Sequence, residues 1–208
     1  MGTYVHYSLG QKDGIESIVF ENLHNLIKCM DNCRIKYPED YNESIYRMAC
    51  HMNKHGPSSL SVDSSEEAAL IDRVVDELIM YEELSSVTGV EYSLFEKIDT
   101  SMMKLFRYAD SLKTVLPDSS NHAQRIYNTL LFDGMSIAKC SGHKYESDDG
   151  VYKISWVLPS EIEDLIKDLA PITRIKEWEN EQESGVFYLY DALCKAGRKG
   201  SALVVEIA

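Results

Sequence analysis

The sequence has few of the features that mark a membrane, secreted or disordered protein. No apolar run approaches the roughly 18 residues of a membrane-spanning helix. The start, MGTYVHYSLG, has neither the basic leader nor the apolar stretch of a signal peptide. His6 stands where a myristoylation signal needs Ser or Thr. Because 44% of the residues are hydrophobic, disorder is excluded. The sequence therefore predicts a soluble cytoplasmic chain with no membrane partner.

Basic residues are also scarce. Lys and Arg number 21 against 34 Asp and Glu, which leaves a formal net charge of −13 over 208 residues. A negative surface repels phosphate backbones, so general nucleic-acid binding is excluded. Two explanations of the charge stay open. It either serves solubility alone or forms an acidic face that meets a basic protein partner and speeds the encounter.

Cysteines are few, odd in number and widely spaced, which predicts reduced thiols in a cytosol. One arrangement suggests a metal site: Cys29-x3-Cys33 followed by His51-x3-His55. On helices, each pair would lie on one face, and a helical hairpin could join the two pairs. In the alternative interpretation, the cysteines are small packed residues and the histidines are solvated near a helix end. The sequence by itself assigns no metal ligand and no cofactor.

Motifs of catalysis are absent. The chain has no GxSxG, P-loop, GxGxxG or HExxH pattern, so acyl transfer, nucleotide binding and zinc hydrolysis have no support. Cys140 and His143 are the nearest candidates for a nucleophile and base because they flank a polar loop. They can equally be ordinary loop residues. No catalytic residue is assigned, and the balance favours a protein that is not an enzyme.

Apolar residues at three- and four-residue steps predict a mainly helical middle of the chain. Ser64 and Glu67 form a capping-box pattern before one of these helices, and Ser160 with Glu163 forms another. The predicted helices cover approximately residues 14–37, 39–54, 64–79, 95–112, 126–131, 160–169 and 185–196.

Strand patterns occupy both ends of the chain and one segment between them. Residues 3–9 alternate, 151–158 are rich in β-formers, and 202–207 are apolar throughout. A fully apolar strand should be central, because an exposed edge of that composition would aggregate. We therefore predict an α+β fold over residues 1–208 as a single, mostly helical domain. A small sheet joins the three strands, and a helical elaboration spans about 36–115.

Three segments resemble the bacterial YfbM-like family of uncharacterised α+β proteins. They are the Met-Gly start running into a strand, VYKISWVLPSEIEDLIKDL at 151–169, and DALCKAGRKGSALVVEI at 191–207. RIYNTLLFDG at 125–134 is similar to that family's central Leu-rich, Gly-terminated motif, although its Trp and His have no counterparts here. The resemblance implies an α+β fold. Relatives encoded next to toxin genes would further imply an immunity role.

These observations lead to one leading hypothesis and two alternatives. The leading hypothesis is a non-enzymatic cytosolic protein-binding protein, an immunity-type inhibitor whose acidic surface neutralises a basic toxin domain. The first alternative is a metal-binding protein or enzyme that uses Cys29, Cys33, His51 and His55. The second is a housekeeping protein that binds a small ligand. The sequence does not indicate the oligomeric state.

Overall fold

The computed structural model describes six stretches of the chain, whose residues fall into two compact units. The described stretches are residues 4–39, 41–80, 94–102, 133–145, 153–171 and 184–207. The sheet unit draws on residues 4–14, 95–102, 133–135, 153–171 and 184–207, and the helical unit on 15–39, 41–80, 94 and 136–145.

Within the described residues, the elements are five α-helices, one 3₁₀ helix and four strands. The helices are α1 (Glu16–Lys36), α2 (Glu43–His55), α3 (Ser65–Met80), α4 (Pro159–Leu169) and α5 (Ser184–Lys199), with the 3₁₀ helix at Gly56–Leu60. The strands are β1 (Tyr4–Gly10), β2 (Glu96–Met102), β3 (Lys153–Val157) and β4 (Ala202–Ile207). The predicted α+β, mostly helical fold is confirmed.

The four strands form one antiparallel sheet in the order β2-β1-β4-β3. The strands nearest the two chain ends pair with each other at its centre, in a register that sets Val5 opposite Ile207 and Gly10 opposite Ala202. The apolar C-terminal strand is therefore central, as predicted. Its side chains are buried except that of Glu206, which is half-buried.

Helices α4 and α5 cover one face of this sheet. Alternate residues of β1 and β4 point into that layer, because successive strand side chains face opposite ways. The residues of the shared core are all at most 7% exposed, and they are Val5, Tyr7, Leu9, Val157, Ile162, Leu165, Leu169, Leu189, Ala192, Leu193, Ala196, Leu203, Val205 and Ile207.

The helical unit packs α1, α2 and α3 against one another. Helix α2 begins where the Asn42 side chain accepts hydrogen bonds from the backbone N–H groups of Ser44 and Ile45, at 3.0 and 3.2 Å. The Ser64 half of the capping box predicted before α3 is confirmed. Ser64 Oγ accepts from Glu67 N at 3.2 Å and donates to the Glu67 carboxylate at 3.2 Å.

Two local predictions were wrong. The helix predicted over 95–112 is replaced at its start by β2, which pairs with β1 along its length. Helix α4 begins at Pro159 rather than after Ser160, because proline fits the first helical position, where no N–H bond is needed. The carboxylate that accepts the Leu158 N–H, at 3.1 Å, is that of Glu161 and not of Glu163.

Several predictions lie wholly or partly outside the described residues. The short helix at 126–131 and the end of the helix predicted over 95–112 are among them. The single domain over 1–208 stays a prediction. The elaboration predicted at about 36–115 covers α2 and α3 of the helical unit, and it also contains β2, which belongs to the sheet.

Candidate functional site

A cluster of buried polar side chains lies in the helical unit. Asp72 and Asp76 are one turn apart on α3, so they share a face of that helix. His143 Nε2 is 2.7 Å from Asp72 Oδ2, and Ser136 Oγ donates to Asp72 Oδ1 at 2.6 Å. Tyr145 donates its hydroxyl to Asp76 Oδ1 at 2.6 Å. Two carboxylates of one helix therefore bind three side chains that follow them by about 70 positions.

The side chains of Asp72, Asp76, His143 and Tyr145 are almost fully removed from water, and Ser136 is half-buried. Asp72 is 1% exposed, and the side chain of His143 is 6% exposed. A buried carboxylate is costly unless its oxygens are hydrogen-bonded, and both oxygens of Asp72 have partners here. The cluster therefore fastens residues 136–145 to α3.

Further contacts hold the same segment within this unit. Lys139 donates its backbone N–H to the Leu60 carbonyl at 2.7 Å, and its ammonium lies 3.6 Å from a Glu16 carboxylate oxygen. The segment is thus anchored to the 3₁₀ helix and to α1 as well as to α3.

Burial raises the pKa of the Asp72 carboxyl above its ordinary value. The hydrogen bonds from His143 and Ser136, and then the charge of His143, act in the opposite direction without outweighing burial. The folded state therefore favours the protonated form of Asp72 more than the unfolded state does. This contribution to stability is complete below the ordinary pKa of Asp and is lost as pH rises through the raised pKa.

We expect the stability advantage of the native protein over the Asp72→Asn variant to shrink as pH rises. Asparagine has the shape of protonated aspartate and does not titrate in this range. Urea unfolding of both proteins between about pH 4 and pH 7 measures the difference in free energy of unfolding. The exposed Asp63, changed to Asn, is the control. If the stability advantage of the native protein over Asp72→Asn is independent of pH, or grows toward neutral pH, the pKa of Asp72 is not raised in the folded state.

The arrangement is not that of a nucleophile activated by a base. Ser136 donates to Asp72 and not to His143, and its oxygen accepts the Ala138 N–H at 3.0 Å. A catalytic serine needs its hydroxyl on the imidazole. The Ser136 hydroxyl and the His143 imidazole each bind one oxygen of the same Asp72 carboxylate, so the cluster orders this part of the chain.

The sequence candidates Cys140 and His143 do not form a nucleophile–base pair. The imidazole of His143 is bound to Asp72, whereas Cys140 Sγ lies 4.0 Å from the Ser141 carbonyl oxygen. The two residues are instead joined by a backbone hydrogen bond, in which His143 N donates to the Cys140 carbonyl oxygen at 3.4 Å. The sequence-based reasoning missed Asp72 and Asp76. The sequence does carry a signal for them, because two carboxylates four residues apart stand among the apolar residues of an amphipathic helix.

The proposed cysteine and histidine ligands do not converge on one metal site. Across the described stretches, no group of three or more His, Cys, Asp or Glu side chains could hold a metal ion. Cys29 is buried, and burial followed by the nearby Cys33 raises the pKa of its thiol. His51 and His55 are instead exposed on α2, with ring centres 4.5 Å apart.

Exposed acidic side chains differ in how far the chain's own cations neutralise them. On α4, Glu163 and Asp164 lie 3.0 and 3.5 Å from the Lys167 ammonium. At the start of α3, Asp63 and Glu66 are exposed, and among the described residues no cation pairs with either. The start of α3 therefore presents negative charge that no cation in the described part of the chain compensates.

Large apolar side chains are exposed where α1 ends. Ile35 is 77% exposed and Tyr37 is 51% exposed, next to the helix-stopping Pro38. Isolated exposed apolar residues are common on protein surfaces, so this pair by itself defines no site.

Comparison with protein-family models, curated proteins and solved structures finds no match to this chain. Among the helices of the described residues, none is both long and apolar enough to cross a membrane.

Proposed function

We propose that this chain is a non-enzymatic cytosolic protein-binding protein, an immunity-type inhibitor of a basic toxin domain. One observation carries the proposal: at the start of α3, the exposed Asp63 and Glu66 are not neutralised by cations of the described chain. The net charge of −13 extends the same negative field over the molecule.

An uncompensated acidic surface attracts a basic protein over a distance of about one Debye length, roughly 8 to 10 Å at physiological salt. Such attraction raises the rate of encounter and disfavours acidic partners. An inhibitor that must capture a toxin before the toxin acts benefits from a fast encounter. The ordered backbone around the Ser64–Glu67 capping box fixes the position of these charges before binding.

The buried cluster supports a role without catalysis. Asp72 and His143 are nearly inaccessible, and a general base must come within hydrogen-bond reach of its substrate. The Asp72–His143–Ser136 contacts are thus accounted for by the packing of residues 136–145 on α3. The relationship to YfbM-like proteins stays a prediction from the three segments that resemble them.

The direct test is affinity capture of partners from the native cell, followed by mass spectrometry and a salt titration. We expect a basic protein to be captured at low salt and released as ionic strength rises, because salt screens exposed charges. The proposal is abandoned if no protein is captured, or if capture is insensitive to salt.

A pair of matched variants tests the surface at α3. Asp63→Asn combined with Glu66→Gln removes two uncompensated charges, whereas Glu163→Gln combined with Asp164→Asn removes two charges that Lys167 partly neutralises. We expect the first variant to weaken binding about two- to tenfold at low salt, mainly through the association rate. The second variant should bind nearly as the native protein does. Equal losses of binding affinity in the two variants would indicate that binding depends on net charge alone and that the surface at the start of α3 does not contact the partner.

A further inference from the structure

We infer that His51 and His55 form a two-histidine site for a divalent transition-metal ion, open to solvent at the end of α2. The site uses only the histidine half of the four residues that the sequence pattern put forward. It is independent of the proposed inhibitor function.

The spacing along the helix provides the two ligands. Residues four apart lie on one face of a helix, which is also how two histidines of zinc-binding helices reach a common ion. His51 and His55 are both exposed, with ring centres 4.5 Å apart and ring planes inclined by 35°. Two nitrogens bound to one Zn²⁺ at about 2.1 Å lie about 3 to 3.5 Å apart. Small rotations of these rings can therefore bring one nitrogen of each to a shared ion.

Neither ring must give up a partner to bind the ion. Within the described part of the chain, no hydrogen bond or ion pair involves either imidazole. Two cations lie near the rings: Arg47 is paired with Glu43 one turn back, with Arg47 Nε 2.6 Å from Glu43 Oε1, whereas Lys54, next to His55, is exposed. The ion pair with Glu43 reduces the repulsion that Arg47 would exert on an arriving metal ion.

The position along α2 also favours a cation. The helix ends at His55, so both rings lie at its C-terminal end, where the helix dipole is negative. Gly56 follows with φ +63°, and a Cβ added there would meet no atom within 4 Å. No atom of the described residues therefore crowds Gly56, the residue that follows the two rings.

Ligand chemistry indicates the class of metal. Two neutral imidazoles suit Cu²⁺, Ni²⁺ and Zn²⁺ and do not suit Mg²⁺ or Ca²⁺, which prefer oxygen. With two protein ligands, the remaining coordination positions are left to water or to a donor from another molecule. The buried Cys29 thiol, whose pKa is raised, is a poor additional ligand because metals bind the thiolate.

Calorimetric titration of the untagged, reduced full chain with Zn²⁺ tests the site. We expect saturable binding that His51→Ala or His55→Ala weakens by at least about tenfold, since each removes one of two chelating ligands. The double variant should not bind detectably. His24→Ala, which removes an exposed histidine of α1, should bind as the native protein does. Far-UV circular dichroism of each variant checks that the fold is kept.

Cobalt spectroscopy separates this site from binding by cysteines. The Co²⁺ complex should lack a sulfur-to-metal charge-transfer band, and Cys33→Ser should leave the Zn²⁺ affinity within about twofold. Zn²⁺ affinity that survives the double histidine variant overturns the inference. A charge-transfer band, or loss of binding in Cys33→Ser, would do the same.

Discussion

Replacing Asp72 by alanine is expected to lower the free energy of unfolding by about 3 to 5 kcal/mol. The substitution removes the acceptor of both Ser136 and His143, which leaves a half-buried hydroxyl and a buried imidazole without that partner. It also creates a small cavity beside α3. Urea unfolding followed by far-UV circular dichroism measures the loss, which is a large part of the 5 to 15 kcal/mol typical of a folded domain.

The Asp72→Asn variant distinguishes loss of the hydrogen bonds from loss of the charge. Asparagine can still accept from Ser136, and its amide can donate to an unprotonated His143, so we expect a cost of only about 1 to 2 kcal/mol near neutral pH. The exposed Asp63, changed to alanine, should alter stability by less than about 0.5 kcal/mol. If Asp72→Ala is as mild as this control, the cluster is not what holds residues 136–145 to α3.

The second large effect is expected at Gly14, in the sheet unit. Gly14 has φ +82°, and an added Cβ would lie 2.4 Å from Trp156 Cδ1 and 2.6 Å from its Nε1. The backbone there is held by two hydrogen bonds between Gln11 and Gly14, of 3.0 and 3.1 Å. Gly14→Ala must therefore strain the turn and displace a buried indole. We expect a loss of about 2 to 4 kcal/mol, measured by urea unfolding.

Gly200→Ala is the matched control for the backbone part of this effect. Gly200 also belongs to the sheet unit and has φ +62°, but its Cβ would meet nothing within 4 Å. Its substitution should cost only the left-handed strain of about 1 to 2 kcal/mol. In a Trp156→Leu background, the loss of stability caused by Gly14→Ala should fall to about the loss caused by Gly200→Ala. Equal losses at the two glycines in the native background would show that the indole contact is unimportant.

Much of the fold could be predicted because local patterns and tertiary packing agree. The alternation of β1, the three-four periodicity of α1 and the capping box of α3 each act within a few residues. The central place of β4 followed from its composition, since every residue but Glu206 is apolar.

Strand β2 could not be predicted, because its local pattern favours a helix. Phe95, Ile98 and Met102 are spaced at three and four residues, as on one helical face. In the structure, the segment pairs with β1 instead, with Tyr4 opposite Met102 and an irregularity between Tyr7 and Ser8. Backbone pairing with a distant strand overrides weak helical propensity, and a single sequence does not reveal that pairing.

The sites divide in the same way. The pairing of His51 with His55 depends only on helical spacing, so the sequence by itself determined it, as it determined the net charge and the central strand. The contacts of Asp72 with Ser136 and His143 join residues more than 60 positions apart, as does the contact of Gly14 with Trp156. Only the tertiary structure decided these contacts, because hydrogen bonds and steric contacts depend on distances in space that local periodicity does not encode.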